Sequence, residues 1–127
     1  MKRIAAVALA LLAHGVREQQ VITLEEAVHQ LTDVPARLYG LRNRGRIAEG
    51  WAADLVLFDP DKVGYGQERT RADLPSGASR LYAEADGIEA VFVNGTRIVD
   101  RSAFTGTTPG TLLTAGRHTA TVPVGRR

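Results

Sequence analysis

The side chains best suited to hold a hydrolytic metal in this chain are His14, His29 and His118. A catalytic zinc site gathers three protein ligands, leaves a position for water, and usually shows His-x-His or His-x-x-x-His spacing. These three histidines are scattered without such spacing, so they read as structural. His29 is expected on the exposed side of a helix, His14 near a helix end where it meets terminal carbonyls, and His118 in an unassigned tail. Asp54 interrupts an apolar run, and a carboxylate accepting bonds from nearby backbone amides accounts for it without metal. Ser76, Ser79 and Ser102 lack a histidine and acid arranged for nucleophilic attack, and no G-x-S-x-G occurs. Trp51 and Tyr82 are isolated aromatics of the packing type, and the glycines form no phosphate loop. The residues therefore supply no catalytic, cofactor-binding or metal site of their own.

The elements that would position any such residue are partly legible. Ile4, Val7, Ala8, Leu11 and Leu12 recur at helical spacing. The basic start Met1-Lys2-Arg3 before a short apolar run also suits a secretory signal, too short to span a membrane; the spacing and the lack of a clear cleavage site favour the helix. Thr23-Leu-Glu25-Glu26 fits a capping box, with Leu24, Ala27, Val28 and Leu31 on one face of the helix it starts. Thr32-Asp33 offers a second cap, Pro35 fits a first turn, and Gly40 a left-handed exit.

From Gly45 onward the pattern changes to strands. Ala53 to Phe58 is an apolar run that ends at Asp59-Pro60 and suits a strand covered on both faces. Asn94-Gly95 between Val91-Phe-Val93 and Ile98-Val99 predicts a type I′ hairpin, because that turn needs positive φ at both central residues. Lys62 to Arg80 reads as a long irregular excursion with a brief strand at 80–82. Phe104 to Gly110 reads as a loop, and His118 to Val124 as strand-like residues with a frayed end. The fold class is α+β: a helical segment over 1–41, then a small antiparallel or mixed β-sheet over 42–127, with an irregular loop at about 60–80.

In order, Thr23-Leu-Glu-Glu-Ala27-Val28, Leu31-Thr32, Pro35-Ala-Arg37, Gly40-Leu41, Gly45-x-Ile47-x-x-Gly50, Ala53-Asp54-Leu55-Val56 and Val93-Asn94-Gly95 resemble the carboxyl-terminal end of the metal-dependent amidohydrolases. Leu74-Pro75-x-Gly77 and Phe104-Thr105-Gly106-x-x-Pro109-Gly110 are similar to the N-acyl-D-amino-acid deacylase (D-aminoacylase) branch. The resemblance covers roughly Val16 to Leu112. It implies a (β/α)8 barrel holding one or two divalent metals, zinc foremost, and a composite β-sandwich built from both chain termini. It further implies that the ligands come from the barrel: an early His-x-His, a bridging Cys, Glu or carbamylated Lys, later histidines, and an Asp after the eighth strand. A barrel needs on the order of 200 residues, more than this chain holds.

The resemblance thus implies a carboxyl-terminal structural portion of a hydrolase that cleaves the amide bond of an N-acyl-D-amino acid, this chain alone being inactive. Its implied partners are the missing barrel and amino-terminal sandwich half, with self-association through exposed strand edges. A stand-alone, non-catalytic β-rich interaction domain is the alternative. With 44% hydrophobic and 24% charged residues the chain is of globular composition, and a net charge of +2 without a basic stripe argues against nucleic acid. The lack of cysteine removes disulfides, thiolate metal sites and thiol nucleophiles, and fits a reducing cytoplasm. No membrane partner is expected.

Overall fold

A computed structural model describes residues 3–123. The chain is α+β, with helices first and antiparallel strands after them, and among the described residues there is no closed barrel. Helix α1 (Arg3–Ala10) runs directly into a π-helix (Leu11–Glu18), followed by α2 (Leu24–Leu31) and α3 (Asp33–Leu38). The expected first helix is therefore longer than its apolar run. Its last turn widens, so that the Gln19 amide donates to the His14 carbonyl five residues back at 2.8 Å. Met1, Lys2 and Val124 to Arg127, which carry part of the signal-like and frayed-end readings, lie outside the described residues.

Half of the capping box forms. The Glu26 amide donates to Thr23 Oγ1 at 3.2 Å, but the Glu26 carboxylate accepts from Gln30 Nε2 at 2.6 Å instead of returning to the cap. The second expected cap does not form. Thr32 Oγ1 donates back to the Val28 carbonyl at 2.7 Å, and the Asp33 carboxylate is drawn to arginines. The left-handed exit at Gly40 is present, with φ of +64°.

Strands β1 (Leu55–Phe58), β6 (Ile88–Val93), β7 (Thr96–Asp100) and β8 (Ala103–Phe104) form one antiparallel sheet in the order β1-β6-β7-β8. Asn94 and Gly95 join β6 to β7 with φ of +48° and +78°, the two positive values a type I′ turn requires. The segment read as an irregular excursion carries more structure than its sequence suggests. In it lie β2 (Gly64–Tyr65) and β3 (Arg69–Arg71), which pair with β5 (Ala85–Asp86) and β4 (Arg80–Tyr82) respectively. These strands are two or three residues long, too short to leave an alternating pattern.

The core lies between the helices and the start of the β region. Leu9, Leu12, Ala27 and Val63 are buried together, and Leu24, Leu31, Phe58, Tyr65 and Ile88 pack against them. Gly87 makes the close approach possible: at φ of +69°, an added Cβ would sit 2.5 Å from the Val63 nitrogen. By contrast, β1 is not covered on both faces as its sequence predicts. Val56 and Leu57 are 56% and 58% exposed, because nothing in the described chain lies over them and β1 is the edge of its sheet. In the tail the Ala120 amide donates to the Gly40 carbonyl at 2.7 Å, the Arg42 amide donates to the His118 carbonyl at 2.9 Å, and Leu41 bridges Thr119 antiparallel, so the strand-like residues 118–120 are docked against the α3 exit.

Replacing Asn94-Gly95 by Val-Val is expected to lower unfolding free energy by about 2–4 kcal/mol, since β-branched residues resist the left-handed region. A urea midpoint equal to that of the parent chain would contradict the turn.

Candidate functional site

Four clusters of ionisable side chains stand out. In the first, Asp54 leads into β1: its Oδ1 accepts from the Asn94 backbone amide at 2.8 Å, and its Oδ2 pairs with Arg44. Asn94 Nδ2 continues the line to the Pro109 carbonyl at 2.9 Å, and Gly95 donates to the Ala53 carbonyl at 2.9 Å. The carboxylate is thus an anchor for the hairpin, as an acceptor bonded to backbone amides should be.

The second cluster centres on Asp33, the one buried charged residue among those described, 7% exposed. Arg46 binds it with both Nε (2.6 Å) and Nη2 (3.1 Å), Arg37 Nε lies 2.8 Å away, and His29 Nδ1 lies at 3.5 Å. A carboxylate buried to this degree requires such partners. An open groove of about 660 Å³ runs beside it, floored by Leu24 and Val28. Glu25 also lines the groove, so two carboxylates offset two guanidinium groups and the groove favours neither sign of ligand.

The third cluster crosses from the π-helix to β2. His14 Nδ1 contacts Glu18 Oε2 at 2.6 Å, its Nε2 lies 3.4 Å from the Tyr65 hydroxyl, and the two rings meet edge to face at 5.9 Å. The expectation that His14 meets helix-terminal carbonyls is therefore replaced by a side-chain line. A spacing of four residues could have suggested the Glu18 contact; no local signal points to Tyr65, 51 positions away.

The fourth is the β3–β4 hairpin, where the Arg71 guanidinium stacks on the Tyr82 ring at 3.9 Å and Arg69 and Arg80 flank it. Arg69 pairs with Glu84, and Arg80 grips both oxygens of Asp73 at 2.5 Å across the tip that contains Ser76. The Arg80 hydrogen bond holds the Asp73 carboxyl below its ordinary value, and the same bond raises Arg80. Lys62 similarly depresses Asp59 at the turn after β1, assisted by the Asp61 amide.

The other histidine is a turn brace. His118 Nδ1 accepts from the Thr114 amide at 2.9 Å. The three histidines belong to three different clusters, Ser102 sits in the β7–β8 connection at φ of +67°, and Trp51 is partly exposed. Among the described residues, no three His, Cys, Asp or Glu side chains are grouped so as to hold a metal ion. The carboxylates present do not fit one, since Asp33 and Asp54 are already bound by arginine. Among them, too, no helix is long and apolar enough to cross a membrane.

A helical lead-in, a four-stranded antiparallel sheet and an arginine-bound aspartate before its first strand make up one α+β unit. Residues 1–99 match the model of the amidohydrolase family, and the chain belongs to that family. It is 39% identical over 101 residues to an N-acyl-D-aspartate deacylase of Alcaligenes xylosoxydans xylosoxydans, a match covering 80% of this chain and 18% of that protein. An N-acyl-D-glutamate deacylase of the same organism is 46% identical over 84 residues, covering 66% of this chain and 15% of the relative. Among solved structures, a D-aminoacylase described as defining a novel subset of amidohydrolases superposes with a TM-score of 0.62 at 32% identity. It covers 79% of this chain and 19% of its own. A second D-aminoacylase structure, from work on the role of its binuclear metal center, gives a TM-score of 0.61 at 34% identity. The chain spans less than one fifth of the length of these proteins.

Two outcomes test the clusters. Asp33→Ala should destabilise the chain by about 2 kcal/mol, less than for a fully buried pair because Arg37 and Arg46 reach water once released; an unchanged denaturation midpoint would refute it. The Asp73 carboxyl, lowered in the folded chain, should favour folding above pH 3.8 and lose that contribution as pH falls through its depressed value. Carbon-detected NMR titration should place its midpoint below 3.8 and return it to normal in Arg80→Gln.

Proposed function

We propose that this chain is the carboxyl-terminal structural portion of a metal-dependent deacylase that hydrolyses N-acyl-D-amino acids, with the catalytic barrel outside these residues. The observation that carries the reading is the combination of a D-aminoacylase-like fold over 79% of this chain with coverage of only 19% of the solved relative. Residues 1–41 then act as barrel-associated helices, and 42–127 as the carboxyl-terminal part of a composite β-sandwich whose other half and barrel are the partners. The exposed faces of Val56, Leu57 and Val7 support this, since apolar strands and helices of this kind call for covering neighbours. In isolation the same β1 edge would serve for self-association. The metal, zinc foremost, belongs to barrel residues and supplies the hydrolytic chemistry there; the residues of this chain position backbone and do not ligate it. The absence of cysteine fits action in the cytoplasm.

The purified chain with added zinc should leave N-acetyl-D-glutamate and N-acetyl-D-aspartate intact. A chimera in which this chain replaces the corresponding fifth of a D-aminoacylase should fold and retain hydrolysis. Turnover by the chain alone, or a folded but inactive chimera, would overturn the proposal.

A further inference from the structure

We propose that Tyr65 is an acyl-accepting nucleophile, activated by the Glu18–His14 pair of the π-helix. This does not depend on the deacylase reading, because every group involved lies within the chain. A carboxylate only accepts hydrogen bonds, so the 2.6 Å contact with Glu18 places the proton of neutral His14 on Nδ1. Nε2 is then an acceptor, and the Tyr65 hydroxyl 3.4 Å away is its donor. Acid, imidazole and hydroxyl stand in the order that activates a weak nucleophile: the acid fixes the tautomer, the imidazole removes the proton, and the oxygen attacks. A separation at the long end of hydrogen-bond reach is common before substrate arrives.

Two features of the fold support the arrangement. The π-helix is an uncommon conformation found often at functional sites, and here it carries both His14 and Glu18. It also carries Arg17, which donates to the Val63 carbonyl at 2.7 Å and so ties the π-helix to the residue just before β2, the strand that bears Tyr65. His14 and Glu18 are about half exposed, so a small electrophile can approach.

The ligand class is an activated acyl donor such as an aryl ester. The Tyr65 oxygen attacks the carbonyl carbon while its proton passes to His14 Nε2. The new phenol-oxygen-to-acyl bond forms, the bond from the acyl carbon to the leaving oxygen breaks, and the proton passes from Nε2 to that oxygen. The products are an O-acyl tyrosine and the free phenol of the donor, with no change of oxidation state.

The test exposes the 127-residue chain to p-nitrophenyl acetate and follows acetylation of each tyrosine by peptide mass spectrometry. Tyr39 is 70% exposed and gives an internal reference in the same sample. Tyr65, though less exposed, should acetylate roughly tenfold faster than Tyr39 or more, a conservative share of what a positioned base supplies. His14→Gln should bring it to the Tyr39 rate, and the surface change Glu18→Gln should lower it while leaving Tyr39 unchanged. Tyr65 reacting no faster than Tyr39, rates unaffected by both variants, or acetyl found on His14 without transfer to Tyr65 would each overturn the proposal. Because Glu18 is exposed, its variant decides the matter if His14→Gln disturbs the helix.

Discussion

The β region depends on one carboxylate. Asp54 sits where the chain enters β1, and its two oxygens tie together Arg44 of the preceding loop and the Asn94 amide at the tip of the β6–β7 hairpin. A type I′ turn leaves backbone donors pointing outward, and here one of them is satisfied by a charged acceptor, which forms a stronger bond than a neutral one. The same turn residue reaches on to the Pro109 carbonyl. Residues 44, 54, 94 and 109 are thereby fixed to one another. The apolar run 55–58 then has its register on β6 determined at one end, with Leu55 opposite Phe92 and Val56 opposite Val91.

That register serves a sheet which the chain itself does not cover. The buried cluster is built from the helices, Val63 and the β2–β5 neighbourhood. β1, in contrast, holds apolar side chains at high exposure along an open edge. Natural edges are usually blunted by charge, proline or a covering element. Leu55-Val-Leu-Phe58 has none of these within it, and its composition makes sense when further structure lies over it. The asymmetry between a helix-side core and a bare sheet edge agrees with the small share of each relative that this chain matches.

The parts of the fold legible in the sequence were those specified within a few residues. The Asn94-Gly95 turn, the Thr23 cap and the Gly40 exit each rest on a local steric or hydrogen-bonding requirement, and all three formed. The losses came where a distant partner outcompeted a local one. Asp33 looks like a capping residue, yet Arg46, thirteen positions on, offers two charge-assisted bonds that a helix amide does not match. The burial of β1 differs from its sequence for the related reason that an apolar run records a tendency to be covered and not which element does the covering. The structural role of Asp54 was legible from its place in an apolar strand, whereas its partner Asn94, forty positions away, was not.

Most ionisable groups of this molecule act as struts. Asp33, Asp54, Asp59 and Asp73 each hold a cationic partner, and among the described residues no buried side-chain polar atom lacks a hydrogen bond. A site built for catalysis has the opposite character, because some of its polar groups must be left to meet the substrate. These four pairs hold strands and loops in place. The His14 line differs from the arginine–aspartate pairs in one chemical respect: its members can pass a proton among themselves, whereas an arginine bound to an aspartate cannot, since the guanidinium does not give up its proton in proteins. The proposed acyl transfer accordingly draws on the π-helix and β2 and leaves the arginine–aspartate pairs in place.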